Sequence, residues 1–590
     1  MSPRVRRRTD VIVAGLALAL AGLVTAGLWP DPAGRAVRVN SGDQALFEWL
    51  LAYGAHAVTH GHDPFFTDLL NVPNGVNLAV NTSITVYAVV FAPLTFLLGP
   101  PVTFVVILTL NLAGTAYAWY WIFSRHLVGS APAAALGGLF CGFAPHMVAH
   151  ANSHLNWTAL WIFPLIVWRV LRLREPGRWL RNGLVLGLLV AVAFSLAAEA
   201  LFLTALACGL FLGVWALAAT NRAAARAALP TFARGLAVTA AVAFALLAYP
   251  LWMHFFGPQR FAGTGFDTRI HSEDVAAYGA FPSRSLAGIA GLDTRLAENP
   301  TEENSFFGVP LLVLSVACLA LLWRRGDPPR RSALRALAIT AGTFAVLSFG
   351  PRVKWRGEIT HIPLPYTLLQ HLPVFDAALP NRLALVTAPI IGLLLAWTAA
   401  ELAGPRRESR RLRIGWGIAV AVALLPLVPV PLRTAERAPV PHFITSGAWR
   451  RYVSPDGTLT PAAPTLDVLP DGQRWQAYAF AARQGEFGIS GGFFLGPGGP
   501  EGRGRIGPIR RPTEALLRGV AKTGVVPPIG PAERAAARDD LRYWRLEVVA
   551  LPDRVFGAKW PVHVDALRTA VTLLLGLPER VDDVWLWRIR

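Results

Sequence analysis

Apolar residues gather in long blocks over the first three quarters of the chain. Blocks of 16 to 37 residues recur from residue 11 to residue 431, and a bilayer core about 30 Å thick takes roughly 20 apolar residues per helix. The blocks predict helices over 11–29, 101–123, 131–149, 156–171, 235–250, 307–323, 334–349, 383–402 and 414–431, with a tight hairpin over 183–219 whose apex falls near Ala198 and Glu199. Run 84–99 is harder to place. Its 16 residues reach about 24 Å as a helix, it contains Pro93, and it ends in Gly99-Pro100-Pro101. We read it as a juxtamembrane or re-entrant element; the other arrangement keeps it as a span and lays 156–171 along the inner surface. The fold class is therefore an α-helical polytopic membrane protein of about 11 transmembrane helices over residues 1–435. Beyond residue 440 the blocks stop, and strand-like stretches at 541–552 and 581–589 flank a helix-like one at 565–577. Residues 440–590 are predicted to be a small extracytoplasmic α/β domain.

Composition supports this reading. Of the 590 residues 54% are hydrophobic and 15% charged, whereas soluble domains run near a quarter charged. The net charge of +19 would ordinarily invite a nucleic-acid partner. Here the charges sit at the ends of apolar runs, and no basic stretch is interleaved with stacking aromatics, so no nucleic acid is expected. With Arg4, Arg6, Arg7 and Arg8 placed in the cytoplasm, inner segments hold 23 arginines against about 10 Arg or Lys in longer outer loops, as the positive-inside rule requires. The first apolar block is as long as a span and others follow, so the basic N-terminus reads as an uncleaved first helix rather than a secretory signal. Only Lys354, Lys522 and Lys559 are lysines; arginine for lysine, with abundant Ala, Gly and Pro, suggests a high-GC bacterial source. Cys141, Cys208 and Cys318 lie inside apolar runs, without metal-ligand spacing.

Candidate chemistry concentrates in the outer loops. In the first, 30–83, Ser41 and Gln44 match a capping box, so a helix lying along the membrane is predicted to start there with Asp43 in its first turn. Gln44, Glu48, His56 and Thr59 then share one face while Asp43 points about 140° from Glu48, so the two carboxylates do not chelate one ion. An acid in a first turn also simply favours the helix N-terminus. His146, His150 and His154 recur every four residues, a spacing that suits a metal and equally a polar helix end. Arg382 stands where the span 383–402 begins, with Arg352, Lys354 and Arg356 in the same loop; it is either a phosphate partner or an interfacial arginine that snorkels. Glu199 is alone at an apolar apex, where ionisable groups are costly and often functional. Asp63 and Asp68 read as turn and cap residues, the Gly-rich stretch 489–508 as a loop, and the sequons at Asn81 and Asn156 as chance.

Asp43, the aromatic-rich helix behind it and the turn from His60 to Phe66 resemble the first periplasmic loop of the GT-C superfamily of integral membrane glycosyltransferases. Segments 124–130 and 142–156 continue the likeness, and 371–386 with the outer C-terminal domain is similar to GT-C-related, YfhO-like bacterial membrane proteins. Gly42-Asp43-Gln44 departs from the adjacent Asp-Glu pair of many members. The resemblance implies an inverting transfer from a polyprenyl-phosphate sugar to a cell-envelope glycan, glycolipid or protein, at the outer face of a bacterial plasma membrane. It makes Asp43 the general base or a metal ligand, an assignment that suits a hydroxyl losing its proton as phosphate departs. Glu48, His150, His154, Asn156, Glu199 and Arg382 are the candidate substrate contacts, and Asp43 and His154 the candidate ligands of a divalent cation, Mn²⁺ or Mg²⁺. Two other functions compete: a flippase for a lipid-linked saccharide, although no internal repeat of the transporter kind is visible, and a non-catalytic scaffold of envelope assembly.

Overall fold

The computed structural model describes residues 3–263, 265–404, 410–499 and 502–589. Part of the basic segment 404–413, residues 405–409, lies outside them. The chain forms two compact units: Met1–Gly27, Ile107–Ala248 and Phe266–Leu432 make the first, and Leu28–Val106, Tyr249–Gly265 and Arg433–Arg590 the second.

Among the described residues five helices are long and apolar enough to cross a membrane: Arg6–Thr25, Pro100–Leu127, Trp179–Leu217, Arg222–Phe256 and Pro380–Ala403. Many of their large apolar side chains are exposed, Leu16, Leu18, Leu188, Leu236 and Phe244 among them, as lipid-facing positions are and water-facing ones are not. The chain is thus a multi-pass membrane protein. Helices Val309–Arg325, Pro328–Ser348 and Arg410–Leu424 are shorter or less apolar. In the first unit Ala131–Phe143 packs on Thr387–Ala403 through small residues: a Cβ on Gly137 would stand 2.3 Å from the Gly392 carbonyl oxygen. Close backbone approach of this kind replaces the hydrophobic drive that helices lack in lipid.

The stretch 183–219 folds as helix Trp179–Leu217 broken at Ala197, whose φ of −158° and ψ of 71° are not helical. A straight helix would hold its two ends about 58 Å apart. Instead Arg174, which precedes it, stacks its guanidinium 5.7 Å from the Trp215 ring near its far end, so the chain doubles back at the bend. Run 84–99 breaks at Phe91 into Thr85–Val90 and Ala92–Leu98, each about 10 Å long and too short to span.

In the second unit, helix Ser41–His60 packs on helix Asp471–Ala481, and Trp49 Nε1 donates to Gln476 Oε1 at 2.9 Å. Of the 20 residues of helix Ser41–His60, 15 are buried. The capping box is absent, for Asn40 is the N-cap residue and Gln44 Oε1 instead accepts from the Val37 N–H at 2.8 Å. Gln44 Nε2 donates to Glu48 at 2.9 Å. Arg437 grips the same carboxylate with two bonds of 2.9 Å and donates to the carbonyls of Ala33 and Pro32. Residues 433–590 contain a four-stranded sheet in which Leu546–Pro552 runs parallel to Thr458–Pro461 and antiparallel to Val584–Arg588, which pairs with Glu579–Val581. Helices Pro512–Thr523, Pro531–Tyr543 and Val564–Leu575 cover it. Leu541–Tyr543, read from sequence as strand, ends a helix. The Gly-rich stretch is not a plain loop either: Leu495–Gly498 pairs antiparallel with Arg503–Ile506.

Removing one partner of a buried ion pair strands the other charge, at about 3–5 kcal/mol. The Arg437 and Glu48 side chains are 1% and 4% exposed, whereas those of Arg580 and Asp553 are 38% and 54% exposed. Arg437→Met is therefore expected to lower the denaturation midpoint of the purified protein strongly, and Arg580→Ala to change it by about 0–1 kcal/mol. Equal effects would mean that the Glu48 pair is hydrated.

Candidate functional site

The first unit encloses a charged cluster drawn from three distant segments. The hairpin bend at Ala197 presents Glu199, which accepts from the Leu379 N–H at 3.1 Å and from Arg382 Nη1 at 2.7 Å. Residues 299–302 present Glu302: Asn299 Oδ1 accepts the Thr301 N–H at 2.8 Å and starts a turn of 3₁₀ helix, Pro300–Glu302. Arg382 lies on the 3₁₀ segment Pro380–Val386 that leads into helix Thr387–Ala403. Its Nη2 donates to Glu302 Oε1 at 2.7 Å, and its guanidinium lies 4.9 Å from the centre of the Trp157 ring. Asn381 and Asn304 each donate to Glu302 Oε2 at 3.1 Å. Two carboxylates on one guanidinium leave this ion triad with a charge of −1. Burial alone would raise the Glu302 carboxyl, but the Arg382 guanidinium beside it overrides burial and holds it well below the usual carboxylate range.

The histidines do not share one helix. Pro145 starts a new helix after Ala144, this helix ends at His150, and Ser153 has a φ of 82° before His154 begins Leu155–Thr158. The turn nevertheless brings His150 Nδ1 to 3.0 Å from His154 Nδ1, and His154 Nδ1 to 4.0 Å from Glu302 Oε1. The fully buried His150 ring stacks on Trp157 at 5.3 Å; burial pushes its imidazole well below its ordinary range, so it is neutral. Among the described residues His150 Nε2 and Asn381 Oδ1 are buried without a partner. One atom each of His150, His154 and Glu302 lie within 4.8 Å of one another. Two imidazoles, one carboxylate and a net negative neighbourhood fit a divalent cation that accepts nitrogen ligands, Mn²⁺ better than Mg²⁺, which prefers oxygen.

Of the residues singled out from sequence, His150, His154, Glu199 and Arg382 converge here, and half-buried Asn156 lies on the Leu155–Thr158 turn beside Trp157. Asp43 and Glu48 belong to the second unit. Asp43 is half-buried and accepts from the Asn40 side chain, while Glu48 is closed into the pair with Arg437. Sequence reasoning missed Glu302, Trp157 and Asn381. The only local sign of Glu302 was an acidic Asn-Pro-Thr-Glu-Glu-Asn string, 299–304, in an outer loop.

These helices enclose one charged centre in a multi-pass membrane protein. Its backbone is similar, over 93% of the chain, to the arabinofuranosyltransferase AftD from mycobacteria, with a TM-score of 0.54 and 15% identity. The chain spans 37% of that protein's length. The oligosaccharyltransferase AglB of the archaeon Archaeoglobus fulgidus aligns with 93% of the chain and 70% of its own, at a TM-score of 0.47 and 12% identity. No curated protein matches the chain. Residues 14–426 match the family described as a domain of unknown function, DUF6311, and the chain belongs to that family.

Next to Glu302, the Glu303 carboxylate accepts from the Ser283 N–H and hydroxyl at 2.8 and 3.0 Å, and burial pushes it from 4.5 up to about 7. The folded state thus holds this proton more tightly than the unfolded one. Its stabilisation is complete below pH 4.5 and lost as pH rises through about 7, a loss of about 3 kcal/mol. Glu303→Gln cannot ionise. The midpoint difference between Glu303→Gln and wild type is expected to shift in favour of the variant across that window; a constant difference would show that Glu303 is already charged at pH 5.

Proposed function

We propose that this protein is an inverting membrane glycosyltransferase. It transfers a sugar from a polyprenyl-phosphate donor to a cell-envelope glycan, glycolipid or protein at the outer face of a bacterial plasma membrane. The observation that carries the reading is the part-buried Glu199–Arg382–Glu302 cluster with His150 and His154, set in a backbone similar to that of an arabinofuranosyltransferase. Shorter helices complete about eleven crossings, which place residues 440–590 outside.

Asp43 acts as the general base that takes the proton of the acceptor hydroxyl. Arg382 is already paired with two carboxylates, so a departing phosphate gains from it only by displacing one of them. The residual negative charge instead suits a divalent cation held by His150, His154 and Glu302, which when bound supplies positive charge to the phosphate leaving group. Glu199 keeps Arg382 in place, buried Trp157 backs the Arg382 guanidinium, and half-buried Asn156 offers a polar contact to a sugar.

A positioned base contributes about 10²–10⁴ in rate, so Asp43→Asn is expected to slow sugar transfer by that factor while native mass spectrometry still finds polyprenyl phosphate on the protein. Arg382→Ala is expected to lose the lipid, because the cluster then carries two unpaired carboxylates. A folded Asp43→Asn protein with full activity would exclude the base, and activity unchanged by EDTA would exclude the cation.

A further inference from the structure

A second cluster of imidazoles lies in the second unit, at the end of helix Ser41–His60. Gly61 closes the helix with a φ of 76°, a left-handed cap that turns the chain back on itself, and the His62 N–H bonds to the Ala57 carbonyl at 2.9 Å. The cap thereby returns His62 beside the helix it has just left. Its ring lies 5.6 Å from that of His56 and nearly parallel to it, with the His60 ring stacked 4.1 Å from His56. Glu486 follows Gly485, whose φ is 103°, and its Oε2 meets both histidines. His56 Nε2 is 2.9 Å away and His62 Nε2 3.3 Å away.

From this geometry we infer a mononuclear site for a transition-metal dication of the Zn²⁺ class, ligated by His56, His62 and Glu486. One atom of each lies within 4.8 Å of the others. Tetrahedral Zn²⁺ with ligands at about 2.0–2.1 Å holds them about 3.3 Å apart, close to the two separations present. The donor set selects the metal: two imidazoles and one carboxylate suit Zn²⁺, Co²⁺, Ni²⁺ or Cu²⁺, whereas Mg²⁺ and Ca²⁺ take oxygen. His56 is buried and fixed against the Phe480 ring at 4.7 Å, while the His62 side chain is 43% exposed and leaves a path for the ion and a place for a water ligand. A metal here joins the C-terminal end of helix Ser41–His60 to the turn after helix Asp471–Ala481. It acts as a clip between two segments more than 400 residues apart, in a place independent of His150, His154 and Glu302.

Full-length protein stripped with a chelator and titrated with Co²⁺ is expected to develop the visible bands of a tetrahedral ion, which Zn²⁺ then abolishes, and Zn²⁺ is expected to raise the denaturation midpoint. Titrations of His62→Ala and Glu486→Gln should lose one equivalent of high-affinity metal. Even outer-shell losses weaken metal binding ~10–100-fold, so removing a ligand should cost at least that much. His154→Ala separates the two clusters, because it should leave this equivalent intact. His62 is partly exposed and Glu486→Gln preserves shape, so circular dichroism should show both variants folded. The same stoichiometry and affinity in His62→Ala as in wild type, or no tetrahedral spectrum in wild type, would overturn the site and leave a hydrogen-bonded His–Glu cluster.

Discussion

A guanidinium enclosed among apolar helices must bring its counter-charges with it, and Arg382 does so from two directions. Glu199 reaches it from the bend of a hairpin and Glu302 from an outer loop. Desolvating each ion costs several kcal/mol, which is recovered only when the geometry is good and the remaining lone pairs are satisfied. That requirement explains the surroundings: Asn381 and Asn304 on Glu302, the Leu379 N–H on Glu199, and Trp157 beneath the guanidinium. Three segments separated by about a hundred residues each are thereby fixed relative to one another, so the bend at Ala197 and the start of helix Thr387–Ala403 answer to one electrostatic constraint.

The second unit meets the same constraint differently. Glu48 and Arg437 balance one to one, with four of the five guanidinium N–H groups bonded to Glu48 and to two backbone carbonyls. Such a pair leaves no residual charge. The Arg382 cluster keeps one negative charge and, among the described residues, buried imidazole and amide atoms without partners. Buried polar groups are ordinarily satisfied, so the imbalance, more than the presence of charge, distinguishes this cluster from the Glu48–Arg437 pair.

Much of the membrane architecture was legible in the sequence, because bilayer thickness imposes a length on every apolar block. The hairpin apex was read at Ala198 and Glu199, within two residues of the break at Ala197. Run 84–99 could be seen to be too short because Pro93 and Gly99-Pro100-Pro101 are local signals. Long-range pairing leaves no such trace. Arg437 stands 389 residues from Glu48, and nothing near Glu302 marks it as the partner of Arg382. The capping box failed for a related reason: a motif records what a side chain can do locally, and Gln44 does better by serving Val37 and Glu48.

The histidines show how far spacing can be trusted. Residues four apart on a continuous helix keep their Cβ atoms about 5–6 Å apart on the same face, and the side chains run roughly parallel. Ring nitrogens meet more readily where the helix stops. His150 closes one helix and His154 opens the next, and the positive φ of Ser153 between them turns the rings toward each other. Gly61 performs the same service for His62, carrying it back past His60 until it shares a carboxylate oxygen with His56. In both units the imidazoles converge at a helix terminus next to a glutamate from a distant loop. For this fold, then, a histidine pair near a Gly or Asn-Ser break is a stronger sign of a binding centre than the same pair in mid-helix, since the break supplies the freedom that bringing the ligands together requires.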